Sequence, residues 1–156
     1  MSSKLLLDIE LVPQSSWLNN VRSALTTKRW DIIRKQVYDQ AWNVCRICGG
    51  TGPKHPVECH EIWQYDDKNM IQKLAGMIAL CPDCHRVKHF GLAQIQHRGE
   101  RALKHFMKVN KLSKQKALAH ITAAFAAWEK RSAQTWKLDL SILSEYGIDI
   151  SNITHQ

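Results

Sequence analysis

Two Cys-x-x-Cys pairs constrain this chain more than any other feature. Cys45 and Cys48 form the first and Cys81 and Cys84 the second, with 32 residues between them. A two-residue gap lets each pair turn back onto one ion, and two such knuckles complete a tetrahedron of thiolates. Gly49 and Gly50 suit the tight turn behind the first pair. The spacing predicts a structural Zn2+ site. Four thiolates leave no open coordination position, so the ion contributes folding energy and not chemistry. A redox Cys-x-x-Cys has no need of a second pair. The fifth cysteine, Cys59, lies between the knuckles and reads as a buried packing residue.

At 156 residues and 44% apolar content, the chain can bury a core and is expected to form one domain, residues 1–156. Seven glycines and four prolines exclude a collagen-like or long disordered chain. No apolar run is long enough to span a membrane. The opening Met1–Glu10 has an apolar stretch of only three residues, far short of a secretory signal. The expected setting is therefore cytoplasmic, where cysteines are metal ligands rather than disulfides.

The formal charge is +8, unevenly placed. Residues 1–85 carry ten basic and nine acidic groups, 86–137 twelve and two, and 138–156 none and three. Such a stripe fits a nucleic-acid backbone, with an acidic protein as the rival partner. Arg101, Lys104 and Lys108 share a side at helical spacing, whereas Leu103 and Phe106 face away and pack. Lys54, His55, Arg86 and Lys88 are candidate phosphate contacts.

Apolar periodicity places a short strand over Lys4–Val12, ended by Pro13, and a helix after Ser15 or Ser16 that uses Trp17, Val21, Ala24 and Leu25. Thr26–Thr27 interrupts it. A second helix over Trp30–Ala41 presents Ile33, Val37 and Ala41. Val57–Trp63 reads as a strand, Tyr65–Asn69 as a loop, and Met70–Leu80 as a short helix leading into a strand. A helix from His85 to about Gly91, another over Leu92–Lys108, and a strong one over Ser113–Lys130 follow. The last presents Leu118, Ile121, Phe125 and Trp128. Leu138–Tyr146 is a final short helix that Gly147 stops. Trp63, Tyr65, Trp128 and Trp136 read as core residues, and Asp66 and Asp67 as solvated loop carboxylates.

Histidines gather around the second knuckle. His85 follows Cys84 directly, and His89 lies four residues on, one helical turn along the same face. His60 sits on the strand between the knuckles, in Val57-Glu58-Cys59-His60-Glu61-Ile62-Trp63. A zinc staple that ties helix to strand brings three imidazoles within reach of one another. His60, His85 and His89 are then candidates to hold a second divalent ion with open positions for a phosphate oxygen and water. Mg2+, Mn2+, Ni2+ or Zn2+ each suits such a set, which does not select among them.

The segments CRICGG, VECHEIW and LCPDCHRVKHFG, spanning residues 44–91, together resemble the HNH endonucleases, the zinc-stapled ββα-metal nucleases. The resemblance implies a ββα-metal core over 44–91; with the flanking N- and C-terminal α-helices and a basic helical extension over 92–150 read from the pattern, the expected fold is α+β. It implies metal-dependent hydrolysis of phosphodiester bonds, with duplex DNA as the substrate. Aligned through Ile62, His60 falls on the family's metal position and Glu61 on its general-base position. Cys84-His85 matches the cysteine-histidine that opens the family's helix, and His89 its later helical histidine. His60, Glu61 and His85 are thus the expected catalytic set.

Two departures stand out. The base position holds glutamate instead of histidine, and the asparagine that orients the base in the family, nine residues before the helix-opening histidine, is Gly76 here. Three readings follow. Glu61 acts as base; or His60 does, with Glu58 or Glu61 helping to hold the metal; or hydrolysis is lost. In an extended strand Glu58 and His60 share a face and Glu61 points away, so the first reading needs a kink. The alternative functions are a non-catalytic zinc-containing nucleic-acid-binding module and a protein-interaction module.

Overall fold

The structure is a computed structural model and describes residues 4–151 and 153. Met1–Ser3, where the leader reading begins, lie outside that range. The chain is α+β, with a three-stranded sheet and helices on either side of it in sequence. A 3-10 turn over Gln14–Ser16 leads to α1 (Val21–Ala24) and α2 (Thr27–Gln40). A hairpin of β1 (Glu58–Asp66) and β2 (Ile71–Leu80) follows, then α3 (Pro82–Lys88), α4 (Phe90–Ile95), α5 (Gly99–Asn110) and α6 (Lys114–Ser132). The chain closes with β3 (Lys137–Asp139) and a 3-10 turn over Ser141–Tyr146. Among the described residues, no helix is long and apolar enough to cross a membrane.

Local chemistry explains most boundaries. The Thr26 hydroxyl accepts from Arg29 N–H and starts α2, which buries the expected Ile33 and Val37. Asn20 and Ser23 cap α1 reciprocally, so the first helix begins five residues after Ser16 and lasts a single turn. Gly147, at φ +74°, stops the last turn as expected, although that turn is 3-10 and preceded by a short strand. The helix expected over His85–Gly91 starts earlier, at Pro82, and breaks at His89. Leu92–Lys108 divides into parts of α4 and α5.

Three expectations are corrected. Met70–Leu80 holds no helix; from Ile71 it is strand, antiparallel to β1 from Asp66↔Ile71 to Glu58↔Leu80. A bulge explains the misleading pattern. Ile62 pairs with Gly76 and Trp63 with Leu74, leaving Ala75 unpaired and breaking the alternation of inward side chains. Lys4–Val12 pairs with no strand; it runs as a strap over the helices, with Glu10 N–H donating to the Lys88 carbonyl at 3.2 Å. Leu118 is 44% exposed, because α6 turns Ala117 and Ile121 inward instead.

Two apolar clusters result. One packs Leu7, Val87, Phe90, Phe106 and Ile121 around the buried cysteines of the knuckles. The other packs Val21, Ile33, Val37, Trp63, Leu74 and Leu143 between α2, the hairpin and the C-terminal turn. Leu80 belongs to the first cluster and Ala79 to the second, so the end of β2 joins them.

Candidate metal centre and adjoining cavity

The four knuckle cysteines converge. Their sulfurs lie within 4.8 Å of one another, with Cys48 Sγ 3.6 Å from Cys81 Sγ. Zinc–sulfur bonds of about 2.3 Å at a tetrahedral angle put sulfurs about 3.8 Å apart, so the donor set fits one zinc ion. Gly49, at φ +74°, turns the first knuckle, with its N–H donating to the Cys45 carbonyl at 3.0 Å. Cys81 caps α3, and Pro82 occupies its first turn. The hydrogen bond with Cys45, then burial, pushes the Cys84 thiol up, and the same bond holds the Cys45 thiol down. Four sulfurs this close could hold one zinc ion. His105 was not foreseen here: its Nε2 lies 3.1 Å from Cys84 Sγ, a contact that steadies a liganding sulfur. Cys59 packs with its sulfur 3.7 Å from Met77 Sδ, and burial pushes its thiol up to about 12.

Beside the knuckles, His60 from β1 meets His85 and His89 from α3 and its C-terminal cap. The ring centroids are 5.3, 5.1 and 4.7 Å apart, and one nitrogen of each ring falls within 4.8 Å of the others. His85 Nε2 and His89 Nε2 face each other at 3.1 Å. Metal–nitrogen bonds of about 2.05 Å at a tetrahedral angle put ligand nitrogens about 3.3 Å apart, so these rings are spaced to share an ion. The helix breaks at His89, yet its N–H still reaches the His85 carbonyl at 3.1 Å, which keeps the pair on one face. Burial holds His60 below the ordinary imidazole value and pushes His89 down to about 3, helped by the neighbouring rings.

Carboxylates position the rings. Glu58 shares a face with His60, as strand geometry requires, and its Oε2 lies 2.5 Å from His85 Nδ1. That bond leaves Nε2 free for the cluster. Glu58 Oε1 also meets His55 Nε2 at 2.8 Å, so His55 is no free phosphate contact. His85, more than His55, holds the Glu58 carboxyl down to about 2. Glu10, a residue that sequence reasoning missed, arrives on the strap. Its Oε2 lies 3.0 Å from His60 Nε2, and its Oε1 accepts from Trp63 N–H at 2.8 Å. Where the family's asparagine is expected, Gly76 faces open space.

Glu61 sits apart from the rings on the wall of the same cavity. Its Oε1 accepts from Val21 N–H at 2.9 Å, and burial pushes it up to about 7 against those backbone bonds. Lys88 is only 7% exposed and is taken up by Asp8 and by Glu10 Oε2 at 3.5 Å; it anchors the strap and does not reach outward for phosphate. Arg86 and Arg101 both pair with Asp83, and Lys104 with Glu100 at 2.9 Å. Asp66 closes the hairpin turn by accepting from Lys68 and Asn69, and Asp67 binds the Arg131 guanidinium through both oxygens at 2.9 Å. Tyr65 packs edge-on to Trp136, and both are core-facing as expected.

The imidazoles open onto a cavity of about 680 Å³. Trp17, Trp30, Trp63, Phe125 and Trp128 line it. Trp128, expected in the core, forms part of this wall. The signal for the cavity is weak in sequence, because its aromatics come from positions more than a hundred residues apart.

The chain matches no protein-family model, no curated protein and no solved structure.

Proposed function

We propose that the chain is a metal-dependent endonuclease of the HNH, ββα-metal type that hydrolyses phosphodiester bonds in DNA. One observation carries the reading: three imidazoles from a hairpin strand and the helix that follows it converge beside a four-cysteine knuckle, on the wall of a cavity. His60, His85 and His89 would hold a divalent ion. Such an ion supplies Lewis-acid stabilisation of the scissile phosphate and of the leaving oxygen. Glu58 fixes the tautomer of His85, and Glu10 orients the ring of His60. Glu61, on the cavity wall, accepts the proton of the attacking water. A phosphorus–oxygen bond forms to that water as the bond to the leaving sugar oxygen breaks, and the leaving oxygen takes a proton from solvent.

Incubation of the purified protein with supercoiled plasmid tests the reading. Nicking is expected with added Mg2+ or Mn2+ and not without. His60→Ala and Glu61→Ala are expected to lower the rate at least about 100-fold, in line with loss of a positioned acid–base group. Absence of metal-dependent nicking by folded, DNA-binding protein overturns it. The second reading, a non-catalytic zinc-containing nucleic-acid module, draws on one observation: a Glu61 oxygen is already committed to the Val21 amide. Binding without cleavage is its signature.

A further inference from the structure

The cavity that adjoins the imidazoles has walls unlike those of a groove for duplex DNA. Trp17 is 54% exposed yet held rigidly: its Nε1–H donates to the Val12 carbonyl at 2.8 Å, and Trp128 Nε1–H donates to the same oxygen at 3.0 Å. Two indoles pinned to one acceptor form a fixed aromatic surface. A volume of about 680 Å³ is ample for a nucleobase with its sugar. Three polar side chains on its wall, Asn19, Arg22 and Gln94, make no hydrogen bond or ion pair among the described residues. Arg22 is the one lysine or arginine lining the cavity among the described residues, and its guanidinium is open to a phosphate. Amides suit the polar edge of a base, and indoles its π-face.

We infer that the cavity receives an unpaired nucleotide of a DNA strand, its base stacked against Trp17 and Trp128 and its phosphate on Arg22, so that the adjoining phosphodiester lies at the three imidazoles. This deepens the nuclease reading and rests on it for the meaning of that last placement. It narrows the substrate from duplex DNA to DNA that is single-stranded, or locally opened, at the cut.

Fluorescence anisotropy with a short labelled single strand, the matching duplex, and the same strand carrying one abasic site tests it. No divalent ion is added, so binding is read without hydrolysis. The strand is expected to bind the wild type at least about ten-fold tighter than the duplex. Trp17→Ala is expected to weaken strand binding about ten-fold or more, the scale of one lost base stack. Trp17→Phe should keep most of the affinity, and Arg22→Gln should weaken binding and flatten its salt dependence. Tiling the abasic site along the strand should find a position at which Trp17→Ala adds no further loss. Circular dichroism melting checks that each variant is folded.

Equal affinity for strand and duplex, or strand binding indifferent to Trp17, overturns the inference. So does a dimer of the wild type, seen by sedimentation, that Trp17→Ala or Ile95→Ser dissolves, because the aromatic wall would then be a contact between copies. Trp17-dependent strand binding with no cleavage under added Mn2+ leaves this inference standing and sinks the nuclease reading. Cleavage of duplex that ignores Trp17 does the reverse.

Discussion

Glu10 makes three contacts with two oxygens. It accepts from the buried Trp63 amide, meets His60, and lies 3.5 Å from the Lys88 ammonium, while being only 11% exposed itself. Removing it strands partners that water cannot easily reach. Glu10→Ala is expected to lower the unfolding free energy by about 1–3 kcal/mol, the cost of a buried polar group left without its partner. Glu10→Gln keeps an oxygen for the Trp63 amide and should lose less. Urea denaturation of the two variants and the wild type measures the difference. Nothing beside Glu10 in MSSKLLLDIE marks it. Its partners stand fifty or more positions away, and a contact of that separation leaves no periodic trace in a single sequence. His85 and His89 were readable for the opposite reason: four residues along a helix is a local distance, and the Cys-Pro-Asp-Cys knuckle fixes where that helix begins.

At the level of elements, one side chain fastens the front half of the strap. Asn110, at the end of α5, accepts from Leu6 N–H at 2.9 Å and Leu7 N–H at 3.1 Å, and donates to the Leu7 carbonyl at 2.7 Å. Asn110→Ala should therefore loosen residues 5–12 without melting the hairpin. Hydrogen exchange is expected to quicken at the amides of Leu6, Leu7, Glu10 and Trp63, with a stability loss of about 1–2 kcal/mol. Unchanged exchange at Glu10 and Trp63 would show that the strap has a stronger hold elsewhere. The same strap was legible as extended but not as unpaired, since its alternating pattern serves packing of Leu7 against α5 just as it would serve a sheet. β2 misled in the other direction. Ile71, Leu74 and Met77 recur every three residues, which is helical spacing. The bulge at Ala75 puts Leu74 and Met77 on one face, while Ile71 lies on the opposite face of the strand.

For the whole molecule, the knuckles matter because Cys45, Cys81 and Cys84 are themselves buried members of the helical cluster. Chelation of a zinc ion held there is expected to abolish the cooperative thermal transition and much of the helical circular dichroism. Cys45→Ser and Cys84→Ser should behave alike, with about one zinc released per chain in a colorimetric assay of the unfolded wild type. A protein that keeps its melting transition after complete zinc removal would contradict the staple. The knuckles were the most legible part of the molecule, because ligand spacing is a short-range rule with few alternatives. The cavity was the least legible: Trp17 and Trp128 are brought to one carbonyl only by the packing of the first turn against α6.

Asn110 stands more than a hundred positions after Leu6 and Leu7, and this separation governs when that fastening can form. A ribosome releases the leading segment long before α5 exists to grip it. In the nascent polypeptide Leu6 and Leu7 therefore lack this partner until the last turn of α5 has left the exit tunnel.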